Sequence, residues 1–175
     1  TGTNLKSILE HQKEYDYEVC SCFTNNPEAA GLSFCKEYKI DCKIIDHKNY
    51  NDREEYDGLI NSYLENRNPD LIVLAGYMRI MSKSLVDNWE GQIVNIHPSL
   101  LPKYPGLNTH KRALEAKDKT HGSTIHFVTS ELDSGPIIRQ ESFEIEPSDT
   151  EESLINKVKD LEHKIYPETI SLLIK

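Results

Sequence analysis

The chain has no long apolar stretch: its longest run, Leu71 to Gly76, falls far short of the roughly 20 residues a membrane-spanning helix needs. It also opens without a secretory pattern, so a soluble, cytoplasmic protein is expected, with no membrane partner. Basic side chains are scarce, 20 against 29 acidic, for a net charge of −9. A nucleic-acid binder driven by phosphate contacts leans the other way, which disfavours a polyanion partner while leaving room for a local anion pocket. Cysteine is limited to Cys20, Cys22, Cys35 and Cys42. Their spacing fits no zinc finger or ribbon, and they read as buried reduced thiols, with Cys20 and Cys22 on one face of a strand. No His-Glu-x-x-His or comparable spacing is found among the seven histidines, and no Gly-x-Ser-x-Gly elbow. Neither a metal nor a covalent nucleophile is expected.

The 175 residues, 37% hydrophobic and 28% charged, suit one domain over 1–175. A chain of this length buries roughly 70% of its unfolded surface and needs no staples. Its periodicity alternates. A helical face at Leu5, Ile8 and Leu9 precedes a strand from Tyr17 to Phe23, and a helix over Ala29 to Tyr38 precedes a short strand, Cys42 to Ile45. Asp52 and Glu55 open a helix with Tyr56, Leu59, Ile60, Tyr63 and Leu64 at spacings of 3 and 4, halted by Asn68-Pro69-Asp70. Leu71 to Ala75 reads as a buried strand, and a helix through Leu85 and Val86 leads to a strand from Gln92 to Ile96. This order implies an α/β fold, a doubly wound, mainly parallel sheet with helices on both faces. After the proline-rich loop 97–109 and a helix through Leu114, the strands Ser123 to Val128 and Pro136 to Ile145 form an antiparallel C-terminal part. Ser148 with Glu151 looks like the capping box of a last helix, whose face is Leu154, Val158, Leu161 and Ile165.

Ligands of doubly wound sheets bind in loops beyond the carboxyl ends of strands. One such loop begins with Asn95 and His97, two apart on an extended segment and so on the same side. Pro98 keeps His97 extended. A carboxamide donor beside an imidazole suits acyl transfer, one holding a developing oxyanion while the other moves a proton. The loop Thr129 to Gly135 supplies Asp133, a carboxylate that favours the charged imidazole or orients a water. Each feature has a plainer reading: a hydrogen-bonded loop cluster for Asn95 and His97, and a turn residue for Asp133. Ser99, between proline and leucine, has no support as a nucleophile.

The string N-I-H-P-S-L-L-P-K-Y-P-G, Asn95 to Gly106, resembles the signature of folate-dependent formyltransferases. Its Tyr-Pro-Gly ending is most similar to members that formylate glycinamide ribonucleotide in purine synthesis. Further similarities follow in L-A-G-Y-M-R-I-M at Leu74 to Met81, H-G-S-T-I-H-F-V at His121 to Val128, E-L-D-S-G-P at Glu131 to Pro136 and E-H-K-I-Y-P at Glu162 to Pro167. The opening Thr1-Gly2-Thr3-Asn4-Leu5 resembles the tail of the family's phosphate loop.

The resemblance implies transfer of a formyl group from 10-formyltetrahydrofolate, as co-substrate, to the amine of 5'-phosphoribosylglycinamide, by a monomer or homodimer with small-molecule partners. It implies that His97 is the general acid, Asn95 the formyl-oxygen donor and Asp133 the group setting the protonation of His97. Met78, Arg79, Ile80 and Met81, with Thr129, Ser130, Glu131, Leu132 and Asp133, would line the pterin pocket, largely through backbone groups, and Arg53 would meet the folate. Gly2, Thr3 and Asn4 would hold the substrate phosphate. Lys159, Asp160, Leu161 and Glu162 would contact the ribonucleotide, Glu162 at the ribose, with Thr124 and His126 beside the centre.

For some of these positions the residues alone support another role. Met78 and Met81 fit core packing, Arg53 fits an ion pair with Asp57 at i+4, and Glu162 fits a charge flanking an apolar face. The family's first strand precedes its phosphate loop, so a strand of about 5 to 10 residues is expected ahead of Thr1, and relatives often continue past the last helix. Formylation of methionyl-tRNA shares the Asn-x-His-Pro core but is opposed by Tyr104-Pro105-Gly106 and the acidic charge. Hydrolysis of formyltetrahydrofolate is a second rival activity, and a non-catalytic folate- or nucleotide-binding module would suit the same fold.

Overall fold

A computed structural model describes residues 2–175; Thr1, the first residue of the loop-like string, lies outside the described residues. The elements run α1 (Thr3–Glu10), β1 (Cys22–Thr24), α2 (Gly31–Glu37), β2 (Cys42–Ile44), a 3-10 turn (His47–Asn49), α3 (Arg53–Arg67), β3 (Ile72–Leu74), α4 (Lys83–Asn88), β4 (Ile93–His97), α5 (Thr109–Glu115), β5 (Thr120–Phe127), β6 (Ile137–Glu144) and α6 (Glu151–Leu173). Every element read from periodicity is present, with altered ends. Asp52 caps α3 by accepting the Glu54 amide. The box that opens α6 is Thr150 with Ser153, not Ser148 with Glu151: Thr150 N–H donates to Ser153 Oγ at 2.9 Å and Ser153 N–H to Thr150 Oγ1 at 3.2 Å.

The parallel and antiparallel parts are both there, as two sheets. β1 pairs in parallel with β2, while the second sheet has the order β3-β4-β5-β6, with β3 and β4 parallel and the later pairs antiparallel. A cleft of about 1010 Å³ separates β1 from β3, walled by residues of both strands such as Phe23 and Val73. Strand pairing begins only at Cys22, opposite Cys42, so Tyr17 to Ser21 are not strand and Cys20 does not share a strand face with Cys22. All four thiols are free, and only Cys35 is fully buried; Cys20 is exposed. Burial pushes the Cys42 thiol up to about 12, which leaves it inert.

Two apolar layers cover the second sheet. One gathers Tyr56, Ile60, Leu64, Leu74, Leu85 and Ile93 beneath α3 and α4. The other gathers Ile8, Val94, Ile96, Ile125, Ile165 and Tyr166 beneath α1 and α6. Alternation along β4 therefore sends Val94 and Ile96 one way, and Ile93, Asn95 and His97 the other. Tyr166 spans the sheet edge, its single hydroxyl proton facing both Leu74 O at 2.9 Å and Val94 O at 3.2 Å. Pro167 sits inside α6 and has no N–H for the carbonyl of His163. Ser7 Oγ on α1 donates to that carbonyl at 2.7 Å instead, so the helix-breaking residue becomes a docking point. No helix among the described residues is long and apolar enough to cross a membrane.

Candidate active site

β4 delivers Asn95 and His97 to the end of the sheet, and antiparallel β5 sets His126 opposite Asn95 and Thr124 opposite His97. Because β5 runs backwards, the loop after it starts level with Ile93, where Val128 N–H donates to Ile93 O. It must fold back to reach His97. Gly135 makes the turn possible, since a Cβ there would lie 1.8 Å from Phe127 O. Asp133 completes it with a left-handed φ of 51°, a conformation that aspartate tolerates better than most residues.

His97 Nδ1 lies 3.4 Å from Asp133 Oδ2, and both side chains are 7% exposed. Its Nε2 lies 2.9 Å from the carbonyl of Tyr104. A carbonyl only accepts, so Nε2 carries a proton, and with a carboxylate facing Nδ1 the doubly protonated ring satisfies both contacts. Gly106 N–H also donates to Asp133 Oδ2, at 2.8 Å. The same reasoning assigns His126. Its Nδ1 donates to Phe127 O at 2.9 Å, and burial holds it neutral by lowering its affinity for a proton. Its Nε2 lone pair therefore accepts from Asn95 Nδ2 at 3.3 Å. That contact orients the carboxamide and leaves the second Nδ2 hydrogen for a ligand. Ser99 is fully buried, and its hydroxyl donates to Lys103 O at 2.6 Å, as expected of a residue with no nucleophilic role.

Glu162 is buried, with Oε2 accepting from Asn4 Nδ2 and Oε1 facing Ser123 Oγ, each at 2.9 Å. Ser123 Oγ also donates to His97 O at 2.8 Å. A hydroxyl has one proton and cannot donate twice. The geometry is satisfied when Glu162 is protonated and donates to Ser123, consistent with burial raising its carboxyl above the usual range. Asn4, Ser123 and Glu162 thereby tie α1, β5 and α6 to the back of His97.

Other expected residues are dispersed. Met78, Ile80 and Leu132 are exposed at 74%, 52% and 55%, as loop tips available to an apolar ligand, whereas Met81 belongs to the core. Arg79 stacks on the ring of Tyr56, 5.1 Å from its centroid. Arg53 is exposed at the first turn of α3, and Asp57 turns inward to accept the Ser82 amide rather than pairing with it. Ser130 and Glu131 are exposed on their loop and Thr129 is half-buried, its Oγ1 donating to Glu131 O at 3.3 Å. Of Lys159 to Glu162, the last faces the site, while Asp160 and Leu161 border a separate depression with Phe143. Consecutive helix residues diverge by about 100°, so four in a row cannot share one ligand face. Gly2 is the N-cap of α1, with Thr3 and Asn4 in its first turn. Gly2 has φ 72°, and a Cβ there would meet Gly31 N at 2.9 Å, so glycine is needed for the packing of α1 against α2.

Sequence reading missed the carbonyl of Tyr104 and the amide of Gly106. Backbone groups carry no residue-type signal; only the left-handed φ values of 57° and 77° at these positions mark them. Ser123 was equally hidden, since a serine in a strand is unremarkable until its neighbours are known.

A strand-end imidazole paired with a carboxylate, beside an oriented carboxamide, has the groups to move a proton and to hold an oxyanion. A family model described as formyl transferase matches residues 1–170, and the chain belongs to that family. It is 41% identical over 172 residues to the phosphoribosylglycinamide formyltransferase of Escherichia coli (strain K12), covering 97% of this chain and 81% of that protein. It is also 41% identical over 175 residues to the trifunctional purine biosynthetic protein adenosine-3 of Gallus gallus, covering 99% of this chain but only 17% of that protein. Among solved structures, the phosphoribosylglycinamide formyltransferase from Coxiella burnetii, in complex with CHES, superposes with a TM-score of 0.94 at 43% identity, covering 98% of this chain and 81% of that one. The enzyme of that name from Bacillus halodurans gives 0.94 at 40%, covering 99% and 91%.

Proposed function

We propose that the chain transfers the formyl group of 10-formyltetrahydrofolate to the amine of 5'-phosphoribosylglycinamide, directly and without a formyl-enzyme. The observation that carries this reading is the buried His97–Asp133 pair beside an oriented Asn95, in a formyl transferase chain whose nearby serines, Ser99 and Ser123, donate to carbonyls. The amine forms the new C–N bond as the carbonyl pair moves onto oxygen, where the unused N–H of Asn95 donates. Collapse expels the folate nitrogen N10, which takes a proton from His97 directly or through water. The proton lost by the amine returns His97 to its charged form, and Asp133 holds that charge.

Met78, Ile80 and Leu132 offer apolar tips for a flat pterin, and Thr129 to Asp133 close over it. Arg53 can serve the cofactor only from the rim. The phosphate end falls to Gly2, Thr3 and Asn4 at the start of α1, where the helix dipole favours an anion; in a protein of net charge −9 local donors must supply this attraction. Glu162, with Lys159, is set for the ribose. Formyl transfer is tested by following tetrahydrofolate release that depends on the ribonucleotide. Absence of transfer by the folded wild type, or a trapped formyl-enzyme, would overturn the reading.

A further inference from the structure

The structure assigns a positioning role to a latch far from the carboxamide: Asp118 and Arg112, acting through Tyr104, set the proton position and orientation of His97. This rests on the proposed formyl transfer for its kinetic readout only. Tyr104 is joined to the centre by its carbonyl, which receives the Nε2 proton of His97 at 2.9 Å, and two residues on, Gly106 N–H donates to Asp133 at 2.8 Å. One short backbone segment therefore holds both members of the pair. It is not held by secondary structure: residues 98–108 lie between β4 and α5, and Tyr104 sits at φ 57°, a region costly for a bulky residue.

Side chains from α5 and the turn after it hold the segment in place. Tyr104 Oη donates to Asp118 Oδ2 at 2.9 Å. The Arg112 guanidinium lies 5.0 Å from the centroid of the Tyr104 ring and donates to Pro105 O at 2.7 Å. Burial alone would raise the Asp118 carboxyl, but hydrogen bonds from Lys103 and Tyr104 hold it below its usual range, so it stays an acceptor through neutral pH. Without Asp118 the Tyr104 hydroxyl loses its anchor, and the residue relaxes out of its left-handed conformation. The carbonyl would then leave Nε2, and the imidazole could take its other tautomer or rotate away from Asp133.

The test compares Asp118→Ala with Asp118→Asn, whose amide oxygen still accepts from Tyr104 Oη, and with Lys103→Ala, which removes only the exposed partner of the same carboxylate. Two readouts are taken on folded protein, matched by thermal unfolding. In ¹⁵N–¹H correlation spectra of the histidine side chains, wild type and Asp118→Asn should show His97 protonated at Nε2, and Asp118→Ala should lose that signature. In formyl-transfer kinetics, Asp118→Ala should lower kcat roughly tenfold with both KM values within about twofold. Asp118→Asn should recover most of the loss, and Lys103→Ala should match wild type. An unchanged His97 signature in Asp118→Ala, a kcat that is unchanged or higher, or a loss confined to KM would overturn the latch. If the wild type transfers no formyl group, the functional reading fails while the spectra still decide the latch.

Discussion

The two sheets of this molecule are built to different standards. In β4 and β5 most residues are buried, and His97, Ser123, Thr124 and His126 are packed among them, each with a hydrogen-bond partner. In β1 and β2 the strands are three residues long, half-buried or exposed throughout, and Ile44 shows 43% of its surface. Proton chemistry needs groups held within tenths of an ångström, and a buried, hydrogen-bonded sheet supplies that stiffness for Asn95 and His97. The β1–β2 pair carries no expected catalytic group, and its loose construction is tolerated.

The sharpest way to break the comparison is at the centre itself. His97→Ala should lower kcat by roughly 10²-fold or more, and Asp133→Asn by a similar factor, measured as ribonucleotide-dependent tetrahydrofolate release. Survival of most of the activity in either variant would move the chemistry away from β4. Next comes packing. Ile125→Ala, in a fully buried position, should cost about 2 to 5 kcal/mol in denaturant unfolding, whereas Ile44→Ala should stay within about 0.5 kcal/mol. Equal costs would erase the distinction between the sheets.

Smaller effects come from buried titrations on either side of His97. His121 donates to or accepts from His110 at 3.0 Å, and burial pulls it down to about 4 from an ordinary value of 6.5. The unfolded chain binds that proton first, so stability should decline as pH falls from 6.5 through 4, and His121→Gln should flatten this part of the stability–pH curve. Glu162 has the opposite sign. Its carboxyl is raised by burial, so the folded state prefers the proton and loses stability as pH rises out of the ordinary carboxylate range. Glu162→Gln does not titrate, and its melting temperature relative to wild type should climb with pH; a constant difference would mean that folding leaves the Glu162 carboxyl unshifted.

Local signals carried most of the architecture. Helix faces such as that of α3 and the apolar run of β3 bury themselves wherever they are placed, and their periodicity survives in the sequence. Boundaries depend on partners instead. Tyr17 to Phe23 has strand composition throughout, yet pairing needs a neighbouring backbone, and β2 reaches only as far as Cys22. The box of Thr150 and Ser153 was obscured by Ser148 and Glu151, which have the same spacing and equally suitable residue types. At the site, Asn95, His97 and Asp133 announce themselves by type and string. The contacts that fix them come from the Tyr104 carbonyl, the Gly106 amide and the Ser123 hydroxyl, which become visible only when chain segments meet.

The hydrogen bond from Asn4 to Glu162 joins residues 158 positions apart. A nascent chain that has made α1, both sheets and the whole His97 loop still lacks the carboxylate that Asn4 and Ser123 address, and α1 still lacks the helix onto which Ser7 docks. The first turn of α1 therefore waits for α6 to emerge. Seating of α1 against the sheet is thereby coupled to α6: a chain lacking Glu151–Leu173 would lose both the Asn4–Glu162 and the Ser7–His163 contacts.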